Sequence, residues 1–403
     1  MKVLHIQNSM SISGNAAYRL SCYMRKEGID SSVLNINSGP DLKNVYLHRH
    51  KKQNVFISAI NKINRTYKLR GKKADSYYYS PFPLLGHNIH KNRIVVEADI
   101  IYIHWIAGIL CISELRNLLS LGKPVIFFMH DMWNFTGGCH HSFSCNQYQT
   151  GCKECNMFID NNVPRKQIEI LSSLLSNKKN VAFVSPSKWM ANCARKSIVT
   201  KGCFVTNIAN VVDVHIFKSM DRKKAKIDLG LPLDKKIITF GCQAGTQNKY
   251  KGWSYLRDSI RNLDRDDIHI VVYGSNDDEE TRNQISLPMT FLGYIDDERK
   301  LATICNATDV FVSPSLAESF GLTFLENILC NTPVVGFDNT AIGEVIQHKK
   351  NGYLANNKDV VDLREGIIYL LDNKLPSHVT AYNPSQIINQ HVQLMETLLS
   401  NRR

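Results

Sequence analysis

Short apolar runs bounded by Gly, Pro or Ser recur along the chain, and segments with helical periodicity separate them. Continuous apolar runs of this kind are typical of strands that are buried on both faces of a parallel sheet. A first series of predicted strands comprises Val3–Ile6, Ile100–His104, Val125–Met129 and Val181–Val184. A second series comprises Ile237–Phe240, Ile268–Tyr273, Thr290–Leu292, Val310–Val312 and Val334–Phe337. Predicted helices between them include Trp253–Asn262, Arg299–Cys305 and Leu322–Cys330.

The two series predict an α/β protein with two doubly wound, Rossmann-like domains, as the length of 403 residues also favours. The polar, basic connector IANVVDVHIFKSMDRKKAKIDLGLP places the boundary near residue 212. We therefore expect an N-terminal domain over 1–212, a C-terminal domain over 213–385, and an amphipathic helix over 386–403 that packs back on the N-terminal domain. Because ligands bind at the carboxyl ends of such strands, a central cleft between the domains is expected.

The composition is that of a folded protein, with 43% hydrophobic and 21% charged residues. The segment MKVLHIQNSM has neither the basic nor the apolar region of a secretory signal, and no run of 18 apolar residues follows. Eleven cysteines in such a chain favour reduced thiols or metal ligands over disulfides. These features predict a cytoplasmic protein.

The net charge of +13 is concentrated in a basic insertion over 45–93, where eleven Lys and Arg face one acid, Asp75. Such a block favours anionic partners. Phe56, Ile60, Ile63 and Tyr67 recur there at helical spacing among basic residues. This pattern is typical of a helix on an anionic membrane surface, so we expect peripheral membrane contact through 51–73 and a lipid-linked acceptor. The alternative is that the apolar stripe packs onto the N-terminal domain.

The stretch ESFGLTFLE carries two glutamates, Glu318 and Glu326, around a predicted strand-to-helix turn. The amides of a helix N-terminus, with Gly321 permitting close approach, form an anion site for phosphate. Carboxylates accept hydrogen bonds from sugar hydroxyls, and a nucleotide sugar needs both kinds of contact. The alternative reading is a helix whose acids only complement its dipole.

With its surroundings, this stretch resembles the E-x(7)-E signature of family 4 glycosyltransferases, which are retaining enzymes of the GT-B fold. The segments NVVDVHIF, Lys251–Gly252, NTPVVGFDNTAIGEVI and NGYLA agree with that family. The resemblance implies transfer of a hexose from a nucleotide diphosphate sugar to a glycan or lipid-linked glycan in surface polysaccharide synthesis, as O-antigen or capsule. It implies no cofactor for the chemistry and no catalytic base from the protein.

The resemblance also implies roles for single residues. Glu318 contacts the donor sugar, Glu326 holds the ribose, and Lys251 stabilises charge on the departing diphosphate. Backbone amides toward the donor come from Ser319, Phe320, Gly321 and Leu322. The family's usual arginine is missing, because Gln243 or Ala244 stands near its place, and Lys249 is the candidate substitute.

In the N-terminal half, SISGNAAYRL resembles the family's Gly-Gly-Ala loop, so Gly14 is assigned to donor binding. The strand PVIFFMHD ends in His130 and Asp131, and the neighbouring predicted strand ends in His104. His130 matches a family histidine near donor sugar or acceptor, and we assign it to orienting the acceptor hydroxyl or sharing its proton. His104 and Asp131 are further acceptor-side candidates.

A Cys-rich loop over 137–156 follows, in which Cys139, Cys145, Cys152 and Cys155 have the spacing C-x(5)-C-x(6)-C-x(2)-C. Four thiolates within 17 residues predict a structural zinc site that holds an acceptor-side loop. The alternative is reduced cysteines that pack a loop, or a reversible disulfide.

Other functions remain open at this point. The basic block would suit nucleic acid, but it carries no base-reading motif, so no nucleic-acid partner is expected. A nucleotide-sugar epimerase or a phosphorylase could share the fold. A catalytically inactive glycan-binding relative is a further alternative, to which the missing arginine gives some support.

Overall fold

A computed structural model describes residues 1–10, 15–48, 51–73, 78–159, 162–241, 245–261, 263–373, 375 and 382–400, with the backbone alone at 51–54 and 245. The chain forms two compact units. The N-terminal unit contains Asn15–Val211 with the first strand and the last helix, and the C-terminal unit contains Val212–Pro384. The change of unit thus lies between Val211 and Val212.

The strands are β1 (Lys2–Ser9), β2 (Asp30–Ser38), β3 (Val45–Leu47), β4 (Ile100–Ile103), β5 (Val125–Phe128), β6 (Val181–Ser185), β7 (Phe204–Asn207), β8 (Lys236–Gly241), β9 (Ile268–Tyr273), β10 (Met289–Phe291), β11 (Val310–Val312), β12 (Val334–Phe337) and β13 (Gly352–Ala355). In the N-terminal unit they form a seven-stranded sheet, over the described residues, with the order β3-β2-β1-β4-β5-β6-β7. In the C-terminal unit the order is β10-β9-β8-β11-β12-β13.

The helices are α1 (Ala16–Lys26), α2 (Lys51–Lys68), α3 (Arg93–Glu97), α4 (Ile112–Ser120), α5 (Asn162–Leu175), α6 (Lys188–Arg195), α7 (Arg222–Asp228), α8 (Trp253–Ile260), α9 (Glu279–Arg282), α10 (Glu298–Ala307), α11 (Leu322–Leu329), α12 (Ile342–Val345), α13 (Val360–Asp372) and α14 (Pro384–Ser400). Side chains supplied by the sequence cap several N-termini. Asn15 accepts from the Tyr18 amide at the start of α1, and Asp359 accepts from the Val361 amide at the start of α13. Within the part of the chain that is described, no helix is long and apolar enough to cross a membrane.

All strand pairs within the two sheets are parallel, and helices connect them, so the predicted class of two doubly wound α/β sheets is confirmed. Apolar runs such as Ile100–Ile103 are buried along their whole length, as strands covered on both faces require. Four strands were not predicted from the sequence. These are β2, which is rich in Ser and Asn, and the short or edge strands β3, β7 and β13.

The two faces of the N-terminal sheet differ in chemistry. One face is entirely apolar at Leu4, Ile6, Ile101, Ile103 and Phe127, which belong to a continuous core cluster. The opposite face carries His5, Tyr102, His104 and Phe128, because alternate residues of neighbouring strands point the same way and His5 is the register partner of Tyr102. Helix α14 contributes to this second face, where His391 Nδ1 lies 3.1 Å from the Tyr102 hydroxyl.

Candidate active site

The C-terminal sheet reverses its strand order between β8 and β11, since the chain proceeds outward to β9 and β10 on one side and to β12 and β13 on the other. In open α/β sheets, ligands bind beyond the carboxyl ends of the strands at such a switch point. The loops that leave β8 and β11 carry Lys251 and Glu318. The topology therefore brings together two residues that the sequence analysis selected from separate motifs.

Backbone contacts join these two loops. Gly252 has φ +80°, and a Cβ atom there would lie 2.0 Å from the carbonyl oxygen of Pro314, so only glycine fits. Between the same two loops, the amide of Leu316 donates to the carbonyl of Tyr250 over 2.8 Å. Gly252 is thus required for the two loops to pack together, and Lys251 supplies a positive charge.

The Lys251 ammonium and the Glu318 carboxylate form an ion pair, with Nζ 2.7 Å from Oε1. The two side chains are 19% and 14% exposed, so each charge remains accessible to a ligand. A third loop, after β12, supports the glutamate, because the Glu318 amide donates to Thr340 Oγ1 over 2.9 Å. Thr340 lies in the motif FDNTAIGEV and was not predicted to be part of the site.

The strand-to-helix turn at the start of α11 depends on Gly321, which has φ +89° and packs against the Phe324 ring. No side chain caps this helix N-terminus within the described residues. The first amides of a helix have no intrahelical acceptor, so they are available to an anion. Ser319 and Leu322 are half-buried, whereas Phe320 and Gly321 are buried.

Glu326 lies on α11 and is only 3% exposed. It faces Cys305, whose pKa is raised by burial, by a hydrogen bond with Cys330 and by the nearby Glu326 carboxylate. A carboxylate in such surroundings requires polar partners. Its role as the ribose ligand stays a prediction.

Two further residues, Lys249 and Gly14, were predicted to take part in donor binding. Lys249 is exposed on a short 3₁₀ turn, Lys249–Lys251, and makes no ion pair with any residue that the structure describes. Gly14, Gln243 and Ala244 lie outside the described residues. The role of Gly14 in donor binding and the absence of the family's arginine near Gln243 and Ala244 therefore stay predictions from the sequence.

In the N-terminal unit, His104 and His130 follow neighbouring strands, and His104 Nδ1 lies 2.8 Å from His130 Nε2. His104 is buried and His130 is half-buried. Burial lowers the pKa of His130 to about 4, although the nearby Asp131 carboxylate opposes that shift. His130 is therefore neutral at physiological pH, and it can offer one donor and one acceptor nitrogen.

Asp131 is held by three hydrogen bonds from the protein. Its Oδ2 accepts from Trp105 Nε1 at 2.9 Å and lies 2.6 Å from His140 Nδ1, while its Oδ1 accepts from the Trp133 amide at 2.8 Å. His140 continues the network, since its Nε2 lies 3.0 Å from Ser80 Oγ. Asp131 thus fixes the loop after β5, and its predicted contact with the acceptor is untested.

The four cysteines of the Cys-rich loop are free thiols. Burial, followed by the charges of the neighbouring cysteines, raises the pKa of Cys139, and burial raises that of Cys152 to about 12. Cys139 Sγ lies 3.5 Å from Met157 Sδ. Among the described residues, which include all four cysteines, no group of three or more His, Cys, Asp or Glu side chains is arranged to hold a metal ion. The structural zinc site stays a prediction from the cysteine spacing.

Residues 235–373 match the family model of glycosyl transferases group 1. The matched segment carries Lys251, Glu318 and Glu326. A phosphatidyl-myo-inositol mannosyltransferase of Mycobacterium leprae is 29% identical over 166 residues, which are 38% of this chain and 44% of the relative. WcaC of Escherichia coli, named for glycosyl transfer in colanic acid biosynthesis, is 22% identical over 67% of this chain and 66% of its own length. The matches thus span between two fifths and two thirds of these relatives.

Solved structures show the fold of the whole chain. HepE of Anabaena in complex with UDP-glucose has a TM-score of 0.65 at 16% identity, over 98% of this chain and 100% of that one. Sucrose-phosphate synthase of Thermosynechococcus elongatus has a TM-score of 0.66 at 15% identity, over 100% of both chains. The protein therefore has the GT-B fold of glycosyltransferases, as the sequence predicted.

Proposed function

We propose that the protein is a retaining glycosyltransferase that moves a hexose from a nucleotide diphosphate sugar to a glycan or lipid-linked glycan in surface polysaccharide synthesis. The observation that carries the proposal is the convergence of Lys251, Glu318 and the N-terminus of α11 at the switch point of the C-terminal sheet. A cation, an uncapped helix N-terminus and a sugar-binding carboxylate are the groups that an activated sugar requires.

The chemistry assigned to each residue follows from its contacts. Departure of the nucleotide diphosphate builds negative charge on the phosphate oxygens, and the Lys251 ammonium stabilises that charge. Glu318 holds this ammonium in place at 2.7 Å and accepts hydrogen bonds from sugar hydroxyls. The amides at Ser319–Leu322 bind the diphosphate, and Glu326 binds the ribose. In the N-terminal unit, neutral His130 orients the acceptor hydroxyl.

The names of the relatives support this choice of substrates. HepE was solved with UDP-glucose, and the mycobacterial relative is named as a mannosyltransferase of phosphatidyl-myo-inositol. WcaC is named for colanic acid biosynthesis, which is the synthesis of a polysaccharide. The ligand of HepE supports a nucleotide-sugar donor for this chain. The names of the mycobacterial relative and WcaC support a lipid or polysaccharide acceptor.

An exposed apolar surface on α2 supports the proposal of a lipid-linked acceptor. The inner side of the helix is held to its unit, because Ile57 is buried and Asn61 exchanges hydrogen bonds with the backbone of Leu84 and Leu85. The outer side exposes Val55, Phe56, Ile63 and Tyr67 at 72%, 64%, 71% and 68%. The alternative packing of Phe56, Ile63 and Tyr67 onto the N-terminal unit is therefore wrong, whereas Ile60 is half-buried.

We define the outer apolar patch as Val55, Phe56, Ile63 and Tyr67. Lys62 and Arg65 lie beside the patch on exposed positions of the same helix. Exposed apolar side chains flanked by cations complement the surface of an anionic bilayer, which offers acyl chains and negative headgroups. We propose that α2 lies on such a surface, in peripheral contact with the inner face of the membrane.

A thermal-stabilisation screen with UDP-, GDP- and ADP-sugars tests the donor assignment. A ligand at one hundred times its Kd stabilises the folded state by about 2.7 kcal/mol, so the matching donor should raise the unfolding temperature by several degrees. Glu326→Gln, which keeps size and removes charge, should need a higher concentration of the same donor.

Product analysis with the selected donor then tests the reaction. Release of the nucleoside diphosphate only in the presence of an acceptor, with retained anomeric configuration, is expected. Binding without turnover would favour a catalytically inactive relative, and a set of nucleotide sugars with no effect at millimolar concentration would contradict the proposal.

A further inference from the structure

Three histidines from neighbouring strands of the N-terminal sheet form a continuous hydrogen-bonded row. His5 Nδ1 lies 2.9 Å from His104 Nε2, and His104 Nδ1 lies 2.8 Å from His130 Nε2. The rings of His104 and His130 are also stacked, with centroids 5.1 Å apart. Both nitrogens of the central ring are therefore engaged by other histidines.

All three members of the row are neutral at physiological pH. Burial lowers the pKa of His5 to about 3, and the proximity of His391 and Arg25 adds to the shift. Burial and the three histidines around it hold the pKa of His104 well below its usual value. The pKa of His130 is lowered to about 4, with the Asp131 carboxylate as the opposing charge.

Neutrality couples the tautomers of the three rings. A neutral imidazole has one protonated and one unprotonated nitrogen, so each contact in the row works only when one ring donates and the next accepts. If His104 donates from Nδ1, His130 must carry its proton on Nδ1 and His5 must also carry its proton on Nδ1. If His104 donates from Nε2, all three rings must adopt the opposite tautomer.

The row ends at His5, inside the N-terminal unit. His5 Nε2 is buried and has no hydrogen-bond partner among the described residues, so no polar group competes for that end. At the near end, the row engages Nε2 of His130, and Nδ1 is the nitrogen left for a substrate. A change of tautomer at His130 therefore requires all three protons to move together.

We propose that His104, supported by His5, is a positioning residue that locks His130 in one orientation and one tautomer. The same His130 nitrogen, in the same protonation form, then meets the acceptor hydroxyl in every turnover. This inference deepens the proposed function and rests on the acceptor-side role of His130. His104 does not touch the substrate and acts through His130 alone.

The test is a comparison of His104→Phe with His104→Asn in the full chain. Phenylalanine keeps the ring contacts with Tyr102 and Phe128 and removes both hydrogen bonds, whereas asparagine keeps a polar group near the Nδ1 position. The matched control is His391→Phe, because His391 is a buried neutral histidine on the same sheet face that bonds Tyr102 and stands outside the row.

The decisive measurement is the ¹⁵N NMR spectrum of histidine-labelled protein, with the His130 signals assigned through His130→Gln. The wild type should show one protonated and one unprotonated His130 nitrogen. His104→Phe should give averaged signals from two tautomers, and His104→Asn should restore the single form. For acceptor transfer, kcat/KM of His104→Phe should fall about tenfold to a hundredfold, with donor affinity unchanged.

A wild-type spectrum with mixed tautomers at His130 would overturn the proposal, as would an unchanged single tautomer in His104→Phe. An equal change in His391→Phe would also overturn it, because that result would reflect loosening of the sheet face. The spectrum needs no substrate, so a locked row in a protein without transferase activity would refute the proposed function alone.

Discussion

The Lys251 ammonium lies 2.7 Å from the Glu318 carboxylate, and the two residues come from loops that follow neighbouring parallel strands. Backbone contacts join the two loops, and the pair marks the point where β8 and β11 deliver opposite charges to one place. The ion pair holds the lysine in position without a ligand. An anionic donor would then meet a cation already in position, which reduces the cost of reorganisation during the reaction.

Replacement of the lysine tests this arrangement. Lys251→Met should reduce turnover by about a hundredfold to a thousandfold, which is the range for removal of one preorganised group that stabilises developing charge. Lys249→Met is the matched control, because Lys249 is exposed two residues earlier on the same turn. The measurement is kcat with saturating donor. A comparable loss in Lys249→Met would instead support Lys249 as the substitute for the missing arginine.

The glycine of the Lys-Gly pair gives a second prediction. Gly252→Ala places a Cβ atom 2.0 Å from the Pro314 carbonyl, whereas a Cβ at Gly230 meets nothing within 4 Å. Both glycines have positive φ, so Gly230→Ala carries a similar backbone penalty without the clash. Gly252→Ala should therefore lose about 1–3 kcal/mol more unfolding free energy, measured by urea denaturation, and should also bind donor more weakly. Equal losses would show that the close approach is unimportant.

Much of this architecture could be predicted from the sequence, because buried parallel strands are continuous apolar runs and the second series lies in a recognisable motif. The strands β3, β7 and β13 were missed, since three or four residues at or near a sheet edge carry little pattern. The histidine row was also missed. It depends on the register that pairs His5 with Tyr102, residues far apart in the chain, and no local pattern specifies such a pairing.

The same limit applies to the hydrogen bonds of Asp131. Asp131 stands at a strand end, and its oxygens are bonded to Trp105, Trp133 and His140. Which polar side chains meet in such a network is a property of the tertiary structure.

The buried histidines predict how stability depends on pH. Burial lowers the pKa of His5, His130 and His391 in the folded state to between about 3 and 4, from 6.5 when unfolded. As the pH falls, the unfolded chain therefore binds protons before the folded protein does. The free energy of unfolding that these neutral histidines contribute is complete above about pH 6.5 and is lost as the pH falls. Each such histidine should contribute about 1.4 kcal/mol per pH unit between pH 6 and 4.

Denaturant titrations between pH 7 and pH 4.5 check this slope. His391→Phe removes one of the buried groups and should make the dependence shallower by about the contribution of one histidine. His215→Asn is the control, because His215 is exposed, and it should leave the slope as it is in the wild type. A wild-type protein equally stable at both ends of this range would mean that the histidines are not buried as neutral groups.

The outer apolar patch on α2 supplies the final prediction. Replacing Val55, Phe56, Ile63 and Tyr67 with serine together should weaken binding to vesicles containing phosphatidylglycerol, because these side chains are exposed and would lose their burial among acyl chains. Lys62→Glu with Arg65→Glu should weaken the same binding by about 1 kcal/mol or more per changed charge, and only at low salt. Val361→Ser with Ile227→Ser is the control, because both side chains are exposed and lie on other helices, in the C-terminal unit. Co-sedimentation with charged and with neutral vesicles separates the electrostatic contribution to binding from the apolar one. If the serine variant binds charged vesicles as tightly as the wild type does, α2 is not the membrane-facing surface, and the lipid-linked acceptor loses its structural support.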